Sequence, residues 1–259
     1  MNLSENLNLR GIEDEFQYDR VNRKSYICPS PNNNTTSSNG EFSVYFRDIE
    51  EELILKINQY PIVVGCIAWL TNKRILKALA TKERVCIIVQ KEDFLRPDTD
   101  NWTGKNLKKL YKLLPKGVTK NMEAIDYSWG SIIPFLNTNG CMETSPIRWV
   151  GNFNTEKRPA FPRMHNKFLV FCDTVERRNY DYGDVVVMKK IIIPRAVWTG
   201  SFNITDNATR SLENALYSTN SEIVEAYYDE WEHIFSLSEN IDDEDWCVKW
   251  EIPYFRIGT

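Results

Sequence analysis

Short apolar runs of strand length alternate along this chain with segments of helical period, and only a small set of architectures can bury both at once. Strand candidates lie at 62–69, 84–90, 146–150, 165–171, 196–199 and 214–218. Helices are predicted over Asp48–Gln59, Lys73–Thr81, Asn101–Leu114 and Ser221–Phe235. Such alternation implies an α/β layered fold. The last helix opens on a Ser/Asn cap followed by Glu222, and its spacing buries Ile223, Val224, Tyr227, Trp231 and Ile234. No internal repeat is present.

With 259 residues, 42% of them hydrophobic, the chain can bury one substantial core. The tract from Pro29 to Gly40 is polar and turn-rich, cannot bury apolar surface, and is expected to form a mobile loop behind a short N-terminal appendage. Thirty-two basic against thirty-six acidic residues give a formal charge of -4, so no global positive field advertises nucleic-acid binding and any polyanion must be gripped locally. The six cysteines, at 28, 66, 86, 141, 172 and 247, show no Cys-x-x-Cys spacing. Buried reduced thiols are therefore expected at Cys66, Cys86 and Cys172, with no metal site and no cofactor. No apolar stretch reaches membrane-spanning length and the polar start Met1-Asn2-Leu3-Ser4-Glu5 is no signal peptide, which points to the cytoplasm without membrane insertion.

One of only two histidines, His165, stands in Arg163-Met164-His165-Asn166-Lys167, at the start of the apolar run that continues through Phe171. Residues two apart on a strand share a face about 7 Å apart, so His165 and Lys167 project together while Phe168 and Val170 turn away. A nucleophile and a phosphate clamp could share that face. Thirty-five residues beyond His165 a second strand ends in Gly200-Ser201-Phe202-Asn203. Gly200 permits a sharp exit and a close backbone approach, and Ser201 and Asn203 offer short polar groups for phosphoryl oxygens. Glu213 follows just before the strand candidate at 214–218, where a carboxylate could fix a histidine tautomer.

Taken singly, these residues have plainer readings. His165 could be a core histidine, Lys167 a snorkelling strand-end cation, Ser201 and Asn203 turn formers, and Glu213 a solvated carboxylate. Lysines 105, 108, 109 and 112 read as the solvated face of their helix rather than a nucleic-acid groove, and Trp69, Trp129 and Trp198 read as core.

Together and in this order, His-x-Lys, Gly-Ser-x-Asn and Glu-Asn resemble the phospholipase D superfamily, in particular its short bacterial nuclease-like branch with one motif per chain. The resemblance covers roughly residues 41 to 236 and includes an opening unit of helix, buried strand, Thr71-Asn72 and second helix. It implies a layered α-β-α sandwich with a mixed central sheet. Residues 1–40 are then an appendage and linker, 41–236 the phospholipase D-like domain, and 237–259 a C-terminal extension packed on it. The family places an aspartate five residues after the lysine; here that position is Cys172, and Asp173 stands one place later as the structural substitute. The stretch from Thr174 to Arg195 is longer than the family's tight hairpin, and added or extended strands are expected at Val185–Met188 and Ile191–Ile193 around Lys189-Lys190.

The resemblance further implies metal-independent cleavage of a phosphodiester. One histidine attacks phosphorus to give a phosphohistidine, and a second protonates the leaving oxygen. Since His233 has no lysine two residues on, the second histidine is expected from a twofold copy, making the active form a homodimer. Catalytic roles fall on His165, Lys167, Ser201, Asn203 and Glu213, and substrate binding on Lys167, Ser201 and Asn203. Three functions stay open: a DNA or RNA endonuclease; a phospholipid hydrolase; and a conditionally active or non-catalytic subunit with a protein partner in a larger, defence-related assembly.

Overall fold

The computed structural model describes residues 16–19, 21, 23–27, 34–95, 102–120, 124–126, 133–135, 141–152, 161–181 and 185–241. In chain order the strands are β1 (Phe16–Asp19), β2 (Lys24–Ile27), β3 (Thr35–Thr36), β4 (Phe42–Tyr45), β5 (Ile62–Ile67), β6 (Arg84–Gln90), β7 (Gly117–Lys120) and β8 (Ala124–Asp126). They continue as β9 (Ile133–Phe135), β10 (Cys141–Thr144), β11 (Ile147–Val150), β12 (Lys167–Asp181), β13 (Val185–Gly200), β14 (Ala215–Ser218) and β15 (Glu239–Asn240). The α-helices are α1 (Ile49–Gln59), α2 (Lys73–Leu79), α3 (Trp102–Tyr111) and α4 (Ser221–Leu237).

Nine strands form one mixed sheet in the order β15-β11-β6-β5-β12-β13-β14-β4-β3. Strands β11, β6 and β5 run parallel, each preceded or followed by helix or loop crossings, and β12 onward alternate antiparallel. The physical reason lies in the side-chain period of two. Along β5, Val63 and Ile67 join the core under α1, α2 and α3, while Ile62, Val64 and Cys66 join the core under α4. On one side α1 contributes Ile49, Leu53 and Ile57, and α2 contributes Ile75, Leu76 and Leu79. On the other, α4 lays down Val224, Tyr228, Trp231, Ile234 and Phe235. A sheet apolar on both faces is thereby covered on both, giving the expected α-β-α layering with a mixed central sheet.

Caps follow the sequence signals. Asn72 and Asn220 begin α2 and α4, each accepting a backbone N–H three residues on, from Ile75 at 2.9 Å and Ile223 at 3.3 Å. Within α4 the buried aromatic is Tyr228 rather than Tyr227, which is half-buried with Ile223 against the same core. The polar tract differs more. Its end is no loop: Thr35–Thr36 pairs with β4 as the sheet's edge, and the Asn34 side chain accepts the N–H of Phe46 at 2.7 Å and of Arg47 at 3.1 Å. Polar residues suffice there because an edge strand needs backbone bonds on one side only. The sheet therefore takes in strands on both sides of the 41–236 span, β3 before it and β15 after it.

Strands β12 and β13 form a long hairpin. Only Lys167–Cys172 pairs with β5 and only Val197–Gly200 with β14, so within the sheet the distal part pairs strand to strand as a two-stranded ribbon. Val185–Met188 and Ile191–Ile193, the expected added strands, are one continuous arm of it. At its base Phe171 faces Ala196 and Cys172 faces Pro194, which leaves Arg195 as an extra residue on β13.

Cys66, Cys86 and Cys172 are buried free thiols. Burial pushes the Cys66 thiol up and that of Cys86 up to about 12, so both stay protonated at neutral pH and are unsuited to nucleophilic work. Residues 28 and 247 lie outside the described residues, as does Trp129.

Candidate active site

The ends of six strands meet at one edge of the sheet. Parallel strands β5, β6 and β11 finish there, β12 and β14 begin there, and β13 finishes there, because Lys167 pairs with Ile67, Ile67 with Val89, Val150 with Gln90 and Gly200 with Ala215. The crevice outside the carboxyl ends of parallel strands is the usual place for a ligand in an open α/β sheet.

His165 is exposed and Lys167 half-buried at this edge. The Lys167 amine lies 3.0 Å from His165 Nδ1, 3.4 Å from Nε2, and donates to the His165 carbonyl at 2.9 Å. Lys167 shares its sheet face with Leu169 and Phe171, opposite Phe168, Val170 and Cys172. Burial, then the positive charges of Lys167 and Arg163, hold the imidazole below the ordinary histidine range. Burial likewise lowers the Lys167 amine, opposed by the charge of Glu213.

Ser201 donates to the Glu213 carboxylate and also accepts the Asn214 N–H at 3.1 Å. The two strand ends are joined again by the Ser201 N–H on the Asn214 carbonyl. Gly200 is what lets them approach, since a Cβ there would stand 2.3 Å from the Asn214 carbonyl oxygen. Asn203 sits on the same loop, which is tied across to the loop after β5 by the N–H groups of Thr71 and Asn72 on the Ile204 carbonyl. Its side-chain oxygen is buried and, among the described residues, has no hydrogen-bond partner. His165, Lys167, Ser201 and Glu213 thus gather at one strand-end cluster with Asn203 on its loop, while Glu213 is bonded to Ser201 and, among the described residues, no hydrogen bond joins it to His165.

Asp173 is elsewhere. Six residues along β12 from Lys167, roughly 20 Å at strand rise, it accepts from Arg195 Nε at 3.1 Å in a half-exposed pair. Cys172, which stands where the resemblance expects an aspartate, is buried under α4. His233 is exposed on α4.

A set of residues without any motif signal surrounds His165. The Trp69 ring meets the imidazole edge to face, centroids 5.4 Å apart, so Trp69 is half-buried beside the site and not in the core. Its indole N–H donates to Glu92 at 2.9 Å, and Arg163 pairs with the same carboxylate oxygen. Gln90 accepts the Met164 N–H at 2.7 Å and donates to the Asn152 and Lys91 carbonyls. The only hint in the sequence is Gln90-Lys91-Glu92, three polar residues directly after an apolar strand. Among the described residues no cluster of three or more His, Cys, Asp or Glu could hold a metal ion, and no helix is long and apolar enough to cross a membrane. A cleft of about 390 Å³ bordered by Lys108, Tyr111, Lys112, Lys116 and Ile147 contains none of the residues of this cluster.

No family model matches the chain. Solved structures similar to it include phospholipase D superfamily members. NucT from Helicobacter pylori is 13% identical, with a TM-score of 0.47 over 77% of this chain and 98% of that one. The phospholipase D family member Nuc from Salmonella typhimurium is 17% identical, with a TM-score of 0.41 over 77% and 98%. In sequence, the chain is 33% identical over 231 residues to the uncharacterized protein L381 of Acanthamoeba polyphaga mimivirus, an alignment that covers 88% of this chain and 75% of that protein. At that identity and coverage the chain belongs to the family of the mimivirus protein L381.

Proposed function

We propose that this chain is a phosphodiesterase of the phospholipase D type, and within that class a nuclease that needs no metal ion. The observation that carries the reading is the Lys167 amine held 3.0 Å from His165 Nδ1 at an exposed sheet end, with the Ser201–Glu213 pair beside it. A phosphodiester repels nucleophiles because its oxygens are anionic. Lys167 supplies the neutralising charge, Ser201 and Asn203 supply polar contacts, and His165, whose protonation is disfavoured by burial and by the charges of Lys167 and Arg163, offers a lone pair.

In the reaction His165 forms an N–P bond as the P–O bond to the leaving group breaks. The departing oxygen takes a proton from a second histidine, and water then breaks the N–P bond and returns a proton to that base. Two His165 side chains across a twofold axis meet this need.

The test is hydrolysis of DNA, RNA and phosphatidylcholine vesicles side by side in EDTA. Nucleic acid should be cut with the chelator present, and His165→Ala should lose roughly 10²-fold or more. Cleavage only on adding a divalent ion, or an undiminished His165→Ala, would contradict the reading.

A further inference from the structure

The main chain of His165 is pinned on both sides. Gln90, almost wholly buried, accepts the Met164 N–H, and the Ala68 N–H donates to the Asn166 carbonyl at 2.9 Å. What the main chain does not fix is rotation of the ring, which the Lys167 amine meets on one side at 3.0 Å from Nδ1. Trp69 borders that ring, and Trp69 is itself held by its indole N–H on Glu92. Arg163, two residues before His165, is anchored on the same carboxylate oxygen.

Glu92 is 7% exposed. A carboxylate buried to that extent is costly unless it is paired and hydrogen-bonded, and here Arg163 supplies the opposite charge and the Trp69 indole N–H a hydrogen bond, both from side chains that flank the histidine. Resting on the reading of His165 as nucleophile, we propose that Glu92 is a positioning residue that sets the His165 imidazole through Trp69 and Arg163. It touches none of the reacting atoms. Its carboxylate acts on the ring wall and on the cation beside it, and so decides whether the lone pair points at phosphorus.

With only two histidines in the chain, the imidazole region of a long-range ¹H–¹⁵N spectrum reports the ring directly. His165→Gln assigns the signals, and His233, exposed on α4, serves as the internal control. Glu92→Ala should move or broaden the His165 resonances and leave those of His233 in place. Trp69→Phe, which keeps a ring but removes the donor to Glu92, should do the same in smaller measure. On a nitrophenyl phosphodiester, Glu92→Ala should lower kcat by about 10² with KM within about twofold, the loss typical of misplacing a reacting group. Glu92→Gln, which keeps an acceptor for the indole, should recover part of that loss.

His165 signals unchanged in both variants would overturn the proposal. So would a raised KM at constant kcat, or movement of both histidines together, which marks a general structural role. If Glu92→Ala does not fold, Trp69→Phe decides. If the wild-type chain leaves every phosphodiester intact, the phosphodiesterase reading falls while the spectra still decide whether Glu92 sets the ring.

Discussion

A histidine can attack phosphorus only while it holds an unprotonated nitrogen, and His165 is surrounded by groups that resist its protonation. Burial contributes most, and the cations Lys167 and Arg163 add to it, so the imidazole titrates below the ordinary value near 6.5. The Lys167 amine titrates below its ordinary 10.5, chiefly through burial. Lowering pH through the His165 value removes the nucleophile, while raising pH first takes the proton from the second His165, which serves as the acid, and at higher pH removes the charge of the Lys167 clamp. The profile of kcat/KM should therefore be bell-shaped, with an acid limb where the attacking His165 is protonated and an alkaline limb where the second His165 loses its proton, well before Lys167 loses its charge. Lys167→Arg, which cannot lose its charge in this range, should leave the alkaline limb where the second His165 sets it while its different shape lowers the maximum. An acid limb above the ordinary histidine value would show that His165 is not held neutral.

Among the elements, β5 is the one on which site geometry most depends, because β12 lies against it throughout Lys167–Cys172. Gly65 makes that approach close. A Cβ there would stand 2.3 Å from the Phe168 carbonyl oxygen and 2.8 Å from Leu169 Cα, both backbone atoms that cannot swing aside. Gly65→Ala should destabilise the fold by about 1–3 kcal/mol, as overpacked cores do, read as a lower urea midpoint at unchanged slope. A variant as stable as wild type would mean that the two strands separate more freely than their pairing indicates.

Most elements were legible because burial leaves a periodic trace. Candidates 62–69 and 84–90 became β5 and β6, and each of the four helices falls within or overlaps its predicted span, α4 behind the expected Asn220 cap. What left no trace was set by tertiary pairing. β3 is two threonines at a sheet edge, β15 is Glu239–Asn240, and the hairpin's reach depends on where its neighbours stop. Tyr228 replaced Tyr227 in the core through a shift of one residue in helical phase. The His165–Lys167–Ser201–Glu213 cluster stands out in sequence as a motif, but Glu92 and Arg163 lie 71 residues apart and meet only when strand ends align.

At the scale of the whole molecule, one chain brings one His-x-Lys to a proposed reaction that uses two histidines. His233 is exposed on α4 with no lysine two residues on. The proposed answer is a twofold assembly, and subunit mixing tests it. When His165→Ala chains exchange freely with wild type, activity should fall as the square of the wild-type fraction, since a heterodimer holds one histidine per site. A strictly proportional fall would show that each chain builds its own site.

A covalent bond between His165 and phosphorus is the central step of the proposed reaction, and trapping that bond tests it directly. Wild-type protein turning over a phosphodiester in EDTA would be quenched in alkali, where phosphohistidine survives, then digested and weighed by mass spectrometry. The account requires a substrate-derived phosphoryl adduct on the peptide that carries His165, absent from His165→Ala. An adduct on any other residue, or sustained turnover in which the His165 peptide never gains mass at any quench time, would contradict it.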